Sequence, residues 1–285
     1  MGDIRIIDII RQFSSFATVE NLIYTAGLIL LTIWLIKTSF GKNALVNSAP
    51  RENNMPFYTP FIPLFIWLGT VATIIKIKEK FLPNLQSWQS IFLENLALCI
   101  GATAAIAVIV FLANRHFSER LKGFGLNPKT IHRDLLAAFV NLLCVWPLVT
   151  TALILTTFFG KLIRGQDFNL PQHEELESIV KYSQLSVRVL IIVTAVVVVP
   201  VFEEMLFRGT FQTMIRSFLV KPWLSIIVSS LLFTIIHSNT THWPALFVLG
   251  VCIGYAYEKS GSLFRPILIH SLFNASSIIF VLRDV

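Results

Sequence analysis

The chain has 285 residues, 55% of them hydrophobic and only 14% charged, with a formal net charge of +7, and its mean hydropathy is +0.72. A soluble domain carries about 25% charged residues, so this composition excludes a disordered chain and argues against a soluble globule, whose core could not be covered. The 23 Lys and Arg residues are scattered between apolar runs rather than gathered in an aromatic-interleaved stripe, which argues against nucleic acid as a partner and for membrane lipid.

Uncharged apolar runs recur along the chain at residues 21–36, 57–75, 95–114, 135–160, 189–202, 222–236, 243–257 and 266–282. About 20 helical residues cross a bilayer core, and a helix satisfies its own backbone hydrogen bonds in lipid. The expected fold is therefore all-α: a polytopic transmembrane helical bundle of about eight spans, integral and multi-pass in the membrane, the inner or plasma membrane of the cell if bacterial. The first run is preceded by Asp3, Asp8 and Glu20 and followed by no A-x-A-like cleavage site, so it reads as a retained span rather than a signal peptide. The most basic connection is 115–133, and it is expected to be cytoplasmic together with 216–221 and 259–265. Two connections are long and polar, 37–56 and 161–188. The second holds Glu174, Glu175 and Glu177 and reads as an interfacial helix or a lid over 166–178. No internal repeat stands out.

Cys99, Cys144 and Cys252 lie inside apolar runs at spacings that match no metal motif or disulfide framework; they read as small buried hydrophobes. The chain ends Leu282-Arg283-Asp284-Val285, which is not a prenylation box.

Ionisable groups inside apolar spans are costly and face the protein interior or a wet cavity. Glu203 and Glu204 close a β-branched apolar run, followed by Arg208 and Gly209. On a helix Glu204 and Arg208 share a face and can pair, Glu203 points about 100° away, and Pro200 removes a backbone donor and loosens the helix just before them. The bland alternative is a helix end with solvated glutamates and a snorkelling arginine. His237 ends the next apolar run, with Phe233 one turn below it; a capping or interfacial role competes with a chemical one, as it does for His242. His270 and Asn274 share a face of the last span at i, i+4, and there an interhelical hydrogen bond is the competing reading.

Together these residues supply a base, a second proton carrier or metal ligand, and a pair of donors, the roles that peptide hydrolysis requires. Glu-Glu-x-x-x-Arg, Phe-x-x-x-His and His-x-x-x-Asn, in this order on a polytopic chain, resemble the CPBP family of intramembrane proteases, the CAAX-protease, Rce1-like or Abi enzymes. The resemblance covers about residues 187–277. It implies an endopeptidase acting on membrane-associated or prenylated protein or peptide substrates, with a catalytic core at 187–285 in the last four spans and N-terminal spans of unassigned role at 1–186. By resemblance, Glu203 would be the general base on water and His237 its assistant. Glu204 and Arg208 would form the pair that orients Glu203, and His270 and Asn274 would be the oxyanion donors. The family is often labelled metalloprotease, and a metal-free mechanism is also argued for it; a divalent metal such as zinc would find ligands in Glu203, His237 and His270.

Other protease signatures are missing: 173–177 lacks the second histidine of H-E-x-x-H, and there is no G-x-S-x-G turn. Ser178 and Lys181 have Ser–Lys spacing in a polar connection, and Asn239-Thr240-Thr241 is a chance-level sequon. Two functional alternatives stand: a non-catalytic immunity or regulatory scaffold on the same fold, and a transporter using Glu203, Glu204 and Arg208 as an ion relay, disfavoured by the lack of an inverted repeat. Rise along the helices sets a geometric test. Glu203 lies roughly 24 Å from a helix end near Leu219, and His237 roughly 22 Å from a start near Pro222. His270 is only roughly 10 Å from a start near Leu263, a gap that the fold must close.

Overall fold

The structure, a computed structural model, describes residues 19–283 apart from 172 and 220. The charged approach to the first span at Asp3 and Asp8, and the last two residues of the Leu282–Val285 tail, lie outside them. Every apolar run becomes a helix. In chain order these are α1 (Val19–Lys37), α2 (Phe61–Phe81), α3 (Ser87–His116), the short α4 (Arg120–Phe124), α5 (Ile131–Arg164), the short α6 (Glu174–Lys181), the composite α7 (Leu185–Phe218), α8 (Pro222–Ile235), α9 (Trp243–Ser260) and α10 (Phe264–Arg283). No strand occurs among the described residues.

Five helical stretches are long and apolar enough to cross a membrane: Phe61–Phe81, Ser87–His116, Pro128–Arg164, Leu185–Phe218 and Phe264–Arg283. Asn21–Lys37 and Pro222–Ile235 are equally apolar but shorter, and α9 ends in Glu258 and Lys259. The protein is an integral, multi-pass helical bundle whose outer face is clad in exposed Phe, Leu, Ile and Val side chains, as hydrocarbon requires.

Between lipid-facing helices the hydrophobic effect gives little, and close packing of small residues does the work. Ala97, Gly101, Ala102, Ala105, Ile109 and Ala113 form the buried stripe of α3, against which α2 lies. The central core gathers Phe124, Phe202, Met205, Leu206, Phe207, Phe211, Phe233 and Tyr257. Gly209 of α7 meets the ring of Phe124, so any Cβ there would overlap the aromatic carbons. Gly209→Ala is accordingly expected to lower stability by about 1–3 kcal/mol, read as a lower thermal midpoint of the detergent-purified protein.

The three basic connections meet at one end of the bundle. Leu263 donates its N–H to Gly125 O at 2.9 Å, Thr130 and Ser262 hydroxyls are 3.4 Å apart, and Arg265 pairs with Asp134 at 2.9 Å. The 38–56 segment straps the same end: Lys259 Nζ donates to Ala44 O, Arg216 to Ser48 O and to Glu258 at 2.9 Å, and the Arg51 guanidinium lies 3.5 Å over the Tyr257 ring. The connection 165–184 and the 236–242 turn meet at the opposite end, where His242 Nε2 donates to Pro171 O at 2.9 Å. The helix expected over 166–178 is shorter and later, at Glu174–Lys181. Arg188 anchors its C-terminal end by donating to Ile179 O and Tyr182 O.

Candidate active site

Helix α7 is not one regular helix. Wide π turns occupy Thr194–Val198 and Met205–Gln212 and bracket the α-helical turn Val199–Glu204 that holds both glutamates. Such turns arise where the α-helical ladder is interrupted, frequently at functional sites. Here Pro200 is the interruption expected from the sequence: it has no N–H, and its ring crowds the carbonyl four residues back.

Glu204 and Arg208 are fully buried, while Glu203 and His270 are 7% and 5% exposed. Charges this deep need partners, and those of Glu204 are explicit. Its Oε1 accepts from Arg208 Nη1 at 3.1 Å and from His270 Nδ1 at 2.8 Å. Arg208 Nη2 donates to Gly250 O at 3.1 Å, and its guanidinium lies 4.7 Å from the Phe233 ring centre. The expected Glu204–Arg208 pair is therefore present, but what it holds by hydrogen bonding is His270, not Glu203. Glu203 Oε2 lies 3.9 Å from His270 Nε2, beyond direct hydrogen-bond reach.

His237 sits just past the end of α8 and is half-buried. Its Nδ1 lies 2.8 Å from Phe233 O; a carbonyl only accepts, so Nδ1 carries the proton and Nε2 of the neutral ring keeps its lone pair. The Phe233 ring packs edge-on to both His237 and His270, at 4.8 and 6.0 Å, and so fixes their separation. Asn274 Nδ2 donates to Ala195 O in the first π turn at 2.8 Å.

Glu203, His237, His270 and Asn274, from three separate parts of the chain, line one cavity of about 440 Å³. The depth gap anticipated for His270 closes because α10 starts inside the bundle: Leu263, just before it, is 0% exposed and belongs to the core cluster that holds Phe124. Six helical residues thus carry His270 to the level of Glu203.

The cavity also takes residues that motif reading passed over. Trp67 and Asn95 come from α2 and α3, and His173 and Glu175 from the polar connection. Only the acidic cluster at 174–177 signalled the latter; nothing local signals Trp67 or Asn95. His242, for which a capping or interfacial role competes with a chemical one, stacks on His173 with ring centres 4.0 Å apart. Burial, then the nearby His242 and His237, push His173 below the ordinary histidine pKa, with Glu175 opposing. A histidine kept neutral by its folded surroundings loses stabilisation as pH falls through its unfolded pKa, about 6.5. Acidification below about pH 6 is expected to loosen the start of α6, seen as faster amide hydrogen exchange over residues 173–177 than at pH 8 after correction for intrinsic rates.

Among the described residues, no three His, Cys, Asp or Glu side chains are grouped to hold a metal ion. Zinc draws its ligands to about 2.0–2.2 Å from one point; Glu203, His237 and His270 share the cavity without being gathered in that way.

Residues 185–276 match the family described as type II CAAX prenyl endopeptidase Rce1-like. Over this stretch the chain is similar to the Rce1-like, CAAX-protease family. The matched stretch begins where α7 begins and contains every residue of the three motifs. Among curated proteins, the chain is 24% identical over 233 residues to the membrane-embedded CAAX protease MroQ of Staphylococcus aureus, spanning 77% of this chain and 91% of that one. It is 29% identical over 117 residues to an uncharacterized 24.3 kDa protein of Escherichia coli, spanning 40% of this chain and 54%, about half, of that protein's length. No solved structure matches.

Proposed function

We propose that the protein is an intramembrane endopeptidase that hydrolyses peptide bonds in membrane-associated substrates, of the CAAX-type prenyl-protein or peptide-processing kind, with its catalytic core in 187–285. The observation that carries the reading is the convergence of Glu203, His237, His270 and Asn274 on one cavity. Exposed Ser238 and Glu175 at its rim connect the cavity to the polar end of the bundle, a route for water.

In this reading Glu203 takes the proton of an attacking water, and the Nε2 lone pair of His237 assists. The tetrahedral oxyanion is met by donors in a water-poor site, where each is worth several kcal/mol. Asn274 has a second N–H to give. His270 donates its Nδ1 proton to Glu204, so its Nε2 donates only as imidazolium. The Glu204 carboxylate fixes the ring, much as a carboxylate orients a catalytic imidazole, and Arg208 holds the carboxylate in place. The proton gathered at the glutamate and histidines then passes to the leaving amine.

The test uses purified full-length protein in proteoliposomes and a library of internally quenched apolar peptides. The wild type is expected to cleave members of it that Glu203→Gln and His237→Ala leave intact. Equal cleavage by wild type and both variants would sink the reading.

A further inference from the structure

Asn274 owes its place to an atom that another residue lacks. At the first π turn, Val199 N–H donates five residues back to Thr194 O. In that register the next carbonyl, Ala195 O, would take its proton from residue 200. Residue 200 is proline, buried, and has no N–H. A backbone carbonyl deprived of its donor in apolar surroundings is costly, and the donor it receives is the Asn274 amide, at 2.8 Å. Ala195 and Asn274 both line the cavity, and the bond ties α7 to α10 one helical turn from His270.

We propose that Pro200 is a positioning residue for Asn274: by withholding a backbone donor and keeping the turn wide, it reserves the Ala195 carbonyl to hold the Asn274 amide at the cavity wall. An N–H at residue 200 would undo this in either of two ways. It could pair with Ala195 O in the wide register and compete with Asn274. Alternatively, without the ring's clash against the carbonyl of residue 196, the turn could tighten to the α register and swing Ala195 O away. The second N–H of Asn274, free of this bond, is the group left to address a reacting carbonyl.

The inference rests on the endopeptidase reading of the cavity, and the experiment separates the two. Full-length protein in lipid nanodiscs is assayed on a quenched apolar peptide that the wild type cleaves. Pro200→Ala is compared with the same position carrying lactic acid, which has alanine's side chain but an ester oxygen in place of the N–H. Pro200→Ala is expected to lower kcat by roughly 10- to 100-fold, within what loss of an oxyanion donor costs. KM should stay within about twofold, and the thermal midpoint should be no lower than wild type, because a helix bond has been restored. The lactic acid variant should recover most of the lost kcat, and Pro200→Ala with Asn274→Ala should be no slower than Asn274→Ala alone.

Wild-type kcat in Pro200→Ala, failure of the lactic acid variant to recover, or losses that multiply in the double variant would each overturn the proposal. Should the alanine variant not fold, the lactic acid variant decides alone: near-wild-type kcat supports the proposal and a loss overturns it. Glu203→Gln run alongside distinguishes the failures. If it is inactive while Pro200→Ala is fully active, only the proline inference falls; if it cleaves like wild type, the endopeptidase reading falls.

Discussion

Glu204→Ala is expected to be the most destabilising single change in the site, by about 3–5 kcal/mol. The carboxylate is fully buried and its Oε1 receives both Arg208 and His270. Without it, a guanidinium at 0% exposure keeps, as direct contacts among the described residues, the Gly250 carbonyl and the Phe233 face. A buried charge stripped of its counter-charge costs far more than the pair gained by forming. The contrast to measure is therefore between single and double changes. Glu204→Leu with Arg208→Leu removes both charges and should recover most of the lost thermal midpoint in detergent while remaining inactive. A double variant less stable than Glu204→Ala would show that the pair is held by something other than mutual neutralisation.

Glu203→Gln should behave in the opposite way. It is expected to fold as well as wild type, because a neutral amide replaces a carboxylate whose burial is costly. Its turnover should fall by at least about 10³-fold, in the range set by loss of a general base. His237→Ala should fall by about 10²-fold, with its fold intact because the imidazole is half-buried beyond the end of α8. Circular dichroism and size-exclusion profiles matching wild type, alongside lost cleavage of the quenched peptides, is the expected combination. Lost cleavage together with lost fold would reassign Glu203 to structure.

What made the fold readable was the contrast between uncharged runs and their polar connections: each of the eight runs lies on a helix. The same background exposed Glu203, Glu204, Arg208, His270 and Asn274, since charges and amides are conspicuous where lipid forbids them. What stayed hidden depends on contacts distant in sequence. The level of His270 is set by the burial of Leu263 in the core cluster that holds Phe124, which no count of helical rise from a chosen start can supply. Glu204's allegiance to His270 joins residues 66 apart, whereas Arg208, one turn away, was found by local spacing. Trp67 and Asn95 reach the cavity through the packing of α2 and α3 against the core, and their own neighbourhoods in the chain are unremarkable apolar helix.

The wide turns of α7 bear on which changes this helix can absorb. Each π turn holds one residue more than the α-helical path beside it needs. Removing a residue upstream of the glutamates would rotate everything before them by about 100° relative to the site, turning Ala195 away from Asn274. Substitutions on the lipid face of α7 leave that alignment alone. For this stretch of the molecule, a one-residue change in length is a graver alteration than most changes of side chain.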